Sequence, residues 1–289
     1  MNLHSIINLM RPHHYVKNLF IFLPLFFALK ITDQSLVFIA FAAFIAFSIT
    51  ASAIYILNDY HDIQEDRQHP KKKNRPLASG AIKKPTAIII MCALFFAGFT
   101  LMMNVSINAT YILMAYVGMN VAYCFRLKHI PIVDISTIAI GFVLRLFVGA
   151  TATGIHLSMW IVIMTFLLAL FMALAKRRDD VLIYMDTGKK MRKVIDGYNL
   201  PFLDGAMMVM SAVVIVSYIN YTTSTELISK VNSEYLYLTS SFVIFGILRY
   251  MKITFVNQES GSPTKIVLKD RFMQMVLVSW ISFFAWLIY

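Results

Sequence analysis

Residues 35–66 read SLVFIAFAAFIAFSITASAIYILNDYHDIQED. Its first 23 residues carry no charge, and Asn58, Asp59, Asp62 and Asp66 then follow within nine positions. A membrane-spanning helix needs about 20 mainly apolar residues. The stretch therefore predicts a transmembrane helix that runs directly into an acidic segment at one membrane face.

The whole chain repeats this pattern of apolar runs and short polar connections. Of its 289 residues, 59% are hydrophobic and 14% are charged, whereas a soluble domain carries about 25% charged residues. We predict an all-α integral membrane protein, a bundle of nine transmembrane helices with cytoplasmic active-site loops, forming one domain over 1–289. The nine predicted spans are 16–31, 35–58, 86–104, 107–125, 130–154, 157–175, 202–222, 234–251 and 271–289.

The basic residues are distributed very unevenly along this topology. With nine spans, 23 of the 26 Lys and Arg residues fall on the side of the N-terminus, and Lys30 and Lys230 fall on the other. The positive-inside rule makes that side cytoplasmic and places the C-terminus opposite. We expect a multi-pass protein of the inner (cytoplasmic) membrane. The net charge of +11 then reflects topology and a phosphate-rich substrate, and we predict no nucleic-acid partner.

The acidic segment that ends the second span has the spacing of a metal site. Asn58, Asp62 and Asp66 are four residues apart, so on a helix they share one face. Oxygen ligands of this kind suit Mg²⁺, which completes its shell with substrate phosphates. The alternative is an ordinary solvated helix end. We interpret the segment as a Mg²⁺–diphosphate site.

Two basic segments could neutralise the phosphate groups. Lys72 and Arg75 follow the acidic segment in Lys71-Lys72-Lys73-Asn74-Arg75, and after the sixth span comes Lys176-Arg177-Arg178-Asp179-Asp180. Arg gives bidentate contacts to phosphate and Lys gives a point charge. Bases beside a span can also serve topology alone. That alternative stays open for both segments.

Two further sites of charge lie at or inside the predicted spans. Arg145 falls within a span, where a charge is costly and normally faces a polar cavity or a partner. Asp134 is three turns away and could reach it only indirectly. Near the N-terminus, Arg11 and Lys17 could receive a second anionic group, or Lys17 could act as an interfacial anchor.

These motifs resemble the UbiA-type superfamily of intramembrane prenyltransferases. The pattern Asn58-Asp59-x-x-Asp62-x-x-x-Asp66 carries the resemblance, which extends over essentially the whole chain. Finer features are similar to the decaprenyl-phosphate phosphoribosyltransferase branch. They are Arg11-Pro-x-x-x-Val-Lys17-Asn18, Asp66-Arg67-x-His69-Pro70-x-Lys72-x-x-Arg75-Pro76, Arg126-Leu-Lys128-x-x-x-x-x-Asp134, Gly141-Phe-Val-Leu-Arg145 and Ala175-Lys176-Arg177.

The resemblance implies Mg²⁺-dependent transfer of 5-phosphoribose from phosphoribosyl diphosphate to a polyprenyl phosphate, with release of diphosphate. It implies metal ligation by Asn58, Asp62 and Asp66, which with Lys176 form the expected catalytic set. The substrate-binding residues expected from it are Lys17, Asn18, Asp59, Lys72, Arg75, Arg126, Lys128, Arg145, Arg177, Asp179 and Asp180. The expected partners are a polyprenyl phosphate, phosphoribosyl diphosphate and the bilayer.

One position departs from the branch, and two other functions remain open. A Tyr is expected after Lys176-Arg177, but the chain has Arg178, which puts the donor and the second-segment roles in doubt. The same acids would serve a prenyltransferase that moves a polyprenyl group from its diphosphate to an aromatic or other small acceptor. A transporter without catalysis is a third possibility, but its site would be expected near the bilayer midplane.

Overall fold

The computed structural model describes residues 3–68, 72–188, 190, 192–231, 233–258, 266–267 and 269–288. His69 and Pro70 of the branch motif, the bases Lys71 and Lys265, and the last residue of the ninth predicted span lie outside this part of the chain. The chain divides into two compact units, Met1–Leu157 and Ser158–Tyr289. The prediction of one domain over 1–289 stays a prediction.

The described residues of the first unit form seven α-helices. They are α1 (Leu3–Met10), α2 (Leu23–Phe27), α3 (Gln34–His61), α4 (Ile63–Gln68), α5 (Lys84–Val105), α6 (Ile107–Phe125) and α7 (Val133–Thr153). Single-turn or irregular 3₁₀ segments cover Pro12–Phe22, Lys72–Asn74 and Leu127–His129. Helix α3 is central, because it packs against α1, α5, α6, α7 and the Pro12–Phe22 segment.

The second unit contains five described α-helices. They are α8 (Met159–Thr187), α9 (Leu200–Thr222), α10 (Thr225–Val231), α11 (Ser240–Phe255) and α12 (Arg271–Ile288). Short 3₁₀ helices cover Lys193–Gly197 and Tyr235–Thr239. Helix α9 packs on α8 and α11, and α12 packs on α11.

Seven helical segments in the described residues are long and apolar enough to cross a membrane. They correspond to predicted spans two, three and five to nine, so the all-helical, multi-pass prediction is confirmed and the count of nine is not. Helix α6 has the expected bounds, but its Asn and Tyr residues make it more polar. The first predicted span forms the Pro12–Phe22 3₁₀ segment followed by the five-residue α2, so a single regular helix there was the wrong expectation.

Polar side chains at the helix starts explain several of the boundaries. Asp33 caps α3, since its Oδ1 accepts hydrogen bonds from the backbone N–H groups of Ser35 and Leu36 at 3.0 and 3.2 Å. Asn199 caps α9 by accepting from the N–H of Phe202 at 2.9 Å. These caps satisfy N–H groups that have no partner within the helix. The sequence therefore sets where these spans begin.

Small residues let the elements of the first unit approach closely. A Cβ added at Gly149 of α7 would overlap the backbone carbonyl of Ile21 in the Pro12–Phe22 segment. A Cβ at Gly98 of α5 would overlap the hydroxyl of Thr50 on α3. Small residues at such contacts are typical of membrane helix packing. At Gly149 the neighbour is main chain, which cannot rotate away as a side chain can.

Gly149→Ala is therefore expected to lower the melting temperature of the detergent-solubilised protein. The overlap forces α7 away from the Pro12–Phe22 segment, and overpacking of this kind costs about 1–3 kcal/mol. The matched control is Gly118→Ala on α6, where a Cβ meets no atom within 4 Å. Equal melting temperatures for the two variants would contradict the packing argument.

Candidate active site

The acidic motif lies at the junction of α3 and α4. Helix α3 ends at His61, Asp62 occupies the C-cap position, and Asp66 lies on α4. The sequence predicted one helical face, and the structure inserts a break there. The i to i+4 hydrogen bonds nevertheless continue, from Asp62 N to Asn58 O at 3.0 Å and from Asp66 N to Asp62 O at 2.8 Å. Residues four apart in the motif are therefore still one hydrogen-bonded helical turn apart across the break.

Asp62 has three polar neighbours in the first unit. Its Oδ1 accepts a hydrogen bond from Lys128 Nζ at 2.6 Å and lies 3.1 Å from His61 Nδ1. Its Oδ2 accepts from Asn58 Nδ2 at 3.1 Å, and Asn58 Oδ1 accepts from the Cys124 thiol at 3.5 Å. Lys128 comes from the Leu127–His129 turn after α6. The fold thus brings Lys128 to Asn58 and Asp62, from which it is distant in sequence.

The Asp62 carboxylate is electrostatically favoured in its ionised form. Partial burial by itself would raise its pKa, but hydrogen bonds and charge from Lys128 and His61 outweigh burial and hold the pKa below its ordinary value. Asp62 is therefore an anion at neutral pH, as a ligand for a divalent cation must be.

Asp59 and Asp66 share one base. Arg75 Nη1 donates to Asp59 Oδ1 at 3.0 Å and to Asp66 Oδ2 at 2.7 Å. The Arg11 guanidinium also donates to Asp59 Oδ1. The side chains of Asp59 and Asp66 are 1% and 3% exposed, while that of Arg75 is 25% exposed. Two buried carboxylates are thereby paired with two bases, Arg11 and Arg75, and Arg75 is the more exposed of the two.

The donor atoms of this cluster suit a hard divalent cation. Asn58, Asp62 and Asp66 offer one amide and two carboxylate groups, and Mg²⁺ commonly takes one or two carboxylates together with waters and substrate phosphates. Within the part of the chain that the structure describes, three or more His, Cys, Asp or Glu residues do not come together as a metal site. The motif therefore fits Mg²⁺ bound jointly with a phosphate group, and does not fit an all-protein cage.

Arg145 is buried among polar atoms and aromatic rings in the first unit. Its Nε donates to Asn18 Oδ1 at 2.8 Å, Nη1 to the Gly141 carbonyl at 2.7 Å and Nη2 to the Tyr116 hydroxyl at 3.0 Å. The guanidinium carbon lies 5.1–5.2 Å from the ring centroids of Phe47, Tyr116 and Phe142. Asp134 is buried in the first turn of α7. In the contacts given above, dipoles and π-faces stabilise the charge of Arg145.

The Pro12–Phe22 segment connects Arg145 to α3. Asn18 is 2% exposed and donates through Nδ2 to Ser48 Oγ at 2.8 Å while accepting from Arg145. The adjacent Lys17 is half-buried and interacts electrostatically with Arg145 and Arg11. Lys17 and Arg145 form a positively charged region beside Asn18, while Arg11 is paired with Asp59. The role predicted for Asn18 in binding substrate is accompanied here by a structural one.

In the second unit, the predicted second loop is helical. Helix α8 continues to Thr187, so Lys176, Arg177, Asp179 and Asp180 lie on it and not in a loop. Arg177 Nη1 donates to Asp180 Oδ2 at 2.6 Å, and Arg192 Nε lies 3.5 Å from the same oxygen. The expectation of a charged cluster is therefore met, but the expectation of a loop was wrong because the apolar span and the charged segment form one continuous helix.

Arg178, the residue that departs from the branch pattern, joins three helices. Its Nε donates to Asp204 of α9 at 2.7 Å, and its Nη1 donates to the Thr254 carbonyl of α11 at 2.8 Å. Its guanidinium also lies over the ring of Phe255 at 5.0 Å. Thr254 is in the last turn of α11, where carbonyls lack helical partners and favour cations. Arg178 is thus engaged in holding α8, α9 and α11 together.

Two more of the predicted binding residues lie at the ends of short elements of the first unit, and other residues of the site were not predicted. Lys72 begins the Lys72–Asn74 turn, and Arg126 is exposed at the end of α6. Sequence reasoning missed Tyr116 and treated Cys124 as a core residue. A polar side chain in an apolar helix was the only available signal for either, and many Tyr residues in this chain share it.

The sequence matches the UbiA prenyltransferase family over residues 19–288. The chain belongs to this family. It is 30% identical to a decaprenyl-phosphate phosphoribosyltransferase of Corynebacterium glutamicum over 96% of the chain and 84% of the relative. A Mycolicibacterium smegmatis protein of the same name is also 30% identical, over 96% and 90%.

A solved UbiA homologue confirms the fold. The protein from Archaeoglobus fulgidus, bound to GPP and Mg²⁺, superposes with a TM-score of 0.70 at 17% identity, over 98% of this chain and 99% of that one. The chain is therefore a UbiA-type transferase with membrane-spanning helices.

Arg145→Lys is expected to lower the melting temperature of this UbiA-family protein. An ammonium group cannot reach Asn18, Gly141 and Tyr116 together, so buried acceptors lose their donor at a cost of about 2–4 kcal/mol. The control is Arg249→Lys, because the ion pair between Arg249 and Asp270 is more exposed to solvent than Arg145 is. A smaller loss for Arg145→Lys than for the control would show that the buried contacts contribute little.

Arg178→Met should likewise destabilise the second unit. Asp204 would lose its ion-pair partner and the Thr254 carbonyl its donor, for a loss of about 2–3 kcal/mol. Thermal unfolding of Arg178→Met and Arg249→Met, each of which removes an Arg–Asp contact between elements of this unit, gives the comparison. The assignment of Arg178 to helix packing requires the larger drop for Arg178→Met.

Proposed function

We propose that the protein transfers 5-phosphoribose from phosphoribosyl diphosphate to a polyprenyl phosphate of the decaprenyl type. The observation that carries the proposal is the 30% identity, over 96% of the chain, to a relative named for that transfer. The site chemistry supports it, because acids suited to Mg²⁺ and diphosphate occur in the same unit as a separate basic region at Lys17 and Arg145. A donor and an acceptor that both carry phosphate require two such regions.

Each group of residues has a proposed task. Asn58, Asp62 and Asp66 would hold Mg²⁺, with Asp59 orienting Arg75. Arg75 and Lys128, now in contact with these acids, would take phosphate oxygens of the donor. The remaining bases, proposed to neutralise the other phosphate groups, are Lys17, Lys72, Arg126, Arg145, Lys176 and Arg177, with Asn18, Asp179 and Asp180 as further contacts to substrate.

The reaction needs stabilisation of charge more than it needs proton transfer. The bond between ribose C1 and diphosphate oxygen breaks with its electron pair on diphosphate, and an oxygen of the acceptor phosphate forms the new bond to C1. Bound Mg²⁺ would neutralise charge on the departing diphosphate. Arg75 and Lys128 would stabilise the same charge through hydrogen bonds. Because the acceptor is already an anion, no side chain has to remove a proton.

The proposed setting is the inner membrane. We propose nine crossings, counting the Pro12–Phe27 region and α6, with the N-terminus and the acidic motif cytoplasmic and the C-terminus opposite. This arrangement follows from the distribution of Lys and Arg. It would give water-soluble phosphoribosyl diphosphate access from the cytoplasm, while the polyprenyl chain remains in the bilayer.

The second candidate is prenyl transfer from a polyprenyl diphosphate to a small acceptor. The family match and the fold shared with a homologue bound to GPP and Mg²⁺ favour it. The same acids would bind the diphosphate, which would then belong to the lipid. The two candidates differ in which diphosphate is consumed.

The deciding assay uses the purified full-length chain in detergent with Mg²⁺, decaprenyl phosphate and radiolabelled phosphoribosyl diphosphate. We expect label in the organic phase, and a decrease on the order of 100-fold in Asp62→Asn, because loss of a metal ligand or its support costs 10–100-fold or more. Omission of Mg²⁺ should abolish the product.

Asp196→Asn is the matched control, since Asp196 pairs with Lys190 at an exposed site, and its rate should stay within about twofold of the native chain. Turnover of a prenyl diphosphate with an aromatic acceptor, and none with phosphoribosyl diphosphate, would replace the proposal with the second candidate.

A further inference from the structure

The acids proposed to bind metal are each held by a base in this structure. Arg75 bridges Asp59 and Asp66 with a single nitrogen, at 3.0 and 2.7 Å. Lys128 Nζ is 2.6 Å from Asp62 Oδ1. The side chain of Asp66 is 3% exposed and that of Arg75 is 25% exposed, so the carboxylate is buried against a base that itself contacts solvent.

A divalent cation arriving alone would meet an unfavourable arrangement. It would have to displace Arg75 and Lys128 from buried or partly buried carboxylates, and it would then lie beside two uncompensated positive charges. Charge interactions of this kind are strong because the surroundings are poorly screened. The carboxylates are thus already neutralised, and their affinity for free Mg²⁺ is reduced accordingly.

A diphosphate changes this balance. Its oxygens offer Arg75 and Lys128 an alternative anion, and Arg makes bidentate contacts to phosphate. Transfer of the two bases from carboxylate to phosphate leaves Asp62 and Asp66 free to ligate the cation, which the phosphates also coordinate. The number of favourable charge contacts is preserved only when cation and diphosphate arrive together.

We propose that Arg75 and Lys128 act as exchangeable counter-ions that make binding of the divalent cation depend on diphosphate. The inference rests on the proposed metal role of Asn58, Asp62 and Asp66, and does not depend on which donor carries the diphosphate. It gives the site a means of selecting the metal–diphosphate complex over either component. Arg75 and Lys128 thereby regulate metal occupancy as well as contacting phosphate.

The test measures binding of Mn²⁺, as a spectroscopic substitute for Mg²⁺, to the full-length protein in detergent. Equilibrium dialysis is performed with and without inorganic diphosphate, at equal concentrations of free Mn²⁺. We expect diphosphate to increase the Mn²⁺ affinity of the native chain at least about tenfold. Since coupling is reciprocal, Mn²⁺ should increase the affinity for radiolabelled diphosphate by the same factor.

Two variants remove the counter-ions independently. Arg75→Gln and Lys128→Met should each bind Mn²⁺ alone on the order of tenfold more tightly than the native chain, with a smaller effect of diphosphate. Arg67→Gln is the matched control, because Arg67 lies on α4 and donates to the Ala78 carbonyl at 3.1 Å. It removes the same charge nearby and should leave both affinities within about twofold.

Three outcomes would overturn the inference. They are equal Mn²⁺ affinity of the native chain with and without diphosphate, equal changes in Arg75→Gln and Arg67→Gln, and weaker Mn²⁺ binding in folded Arg75→Gln and Lys128→Met. Melting temperatures establish that each variant is folded. Coupled binding combined with failure of phosphoribosyl transfer would support this inference while overturning the proposed donor, so the two failures are distinguishable.

Discussion

The contact of Arg75 with Asp59 and Asp66 is the interaction around which the acidic end of the first unit is organised. Both carboxylates are almost fully buried, and an unpaired buried carboxylate would be prohibitively costly. Arg11 adds a second donor to Asp59, which ties the N-terminal segment to α3. The chain must therefore bring Arg11 and Arg75, from two separate segments, to the acidic residues at the end of α3 and in α4.

The buried charge of Arg145, in the same unit, is stabilised by a different kind of partner. Arg145 has neutral partners, and three aromatic rings surround its guanidinium. Its positive charge extends to Lys17, which interacts electrostatically with it. The acidic end of α3 thus has its carboxylates paired with bases, whereas the described contacts of Arg145 leave its positive charge without an acidic partner. Such a division suits a transferase that must hold a metal-bound leaving group and a second phosphate.

The sequence was sufficient for the features set by local pattern. The length of the apolar runs predicted most of the helices. The four-residue spacing of Asn58, Asp62 and Asp66 predicted a shared helical face, and the hydrogen bonds between these residues continue across the helix break at Asp62. The helix break itself was not predictable, because no Pro or Gly marks it. The 3₁₀ structure of the Pro12–Phe22 segment was also not predicted. The segment packs closely against Gly149, and that contact is not local in sequence.

Contacts between side chains that are distant in sequence were the hardest feature to predict, and Arg178 shows why. In sequence it stands among Lys176, Arg177, Asp179 and Asp180 as one more charge of a phosphate-binding segment. In the structure its guanidinium is directed to Asp204 and the end of α11, whereas Arg177 pairs with Asp180. Adjacent helical residues point about 100° apart, so neighbours of identical chemistry face different surroundings. A departure from a family pattern at such a position can therefore alter helix packing and leave the chemistry of its neighbours intact.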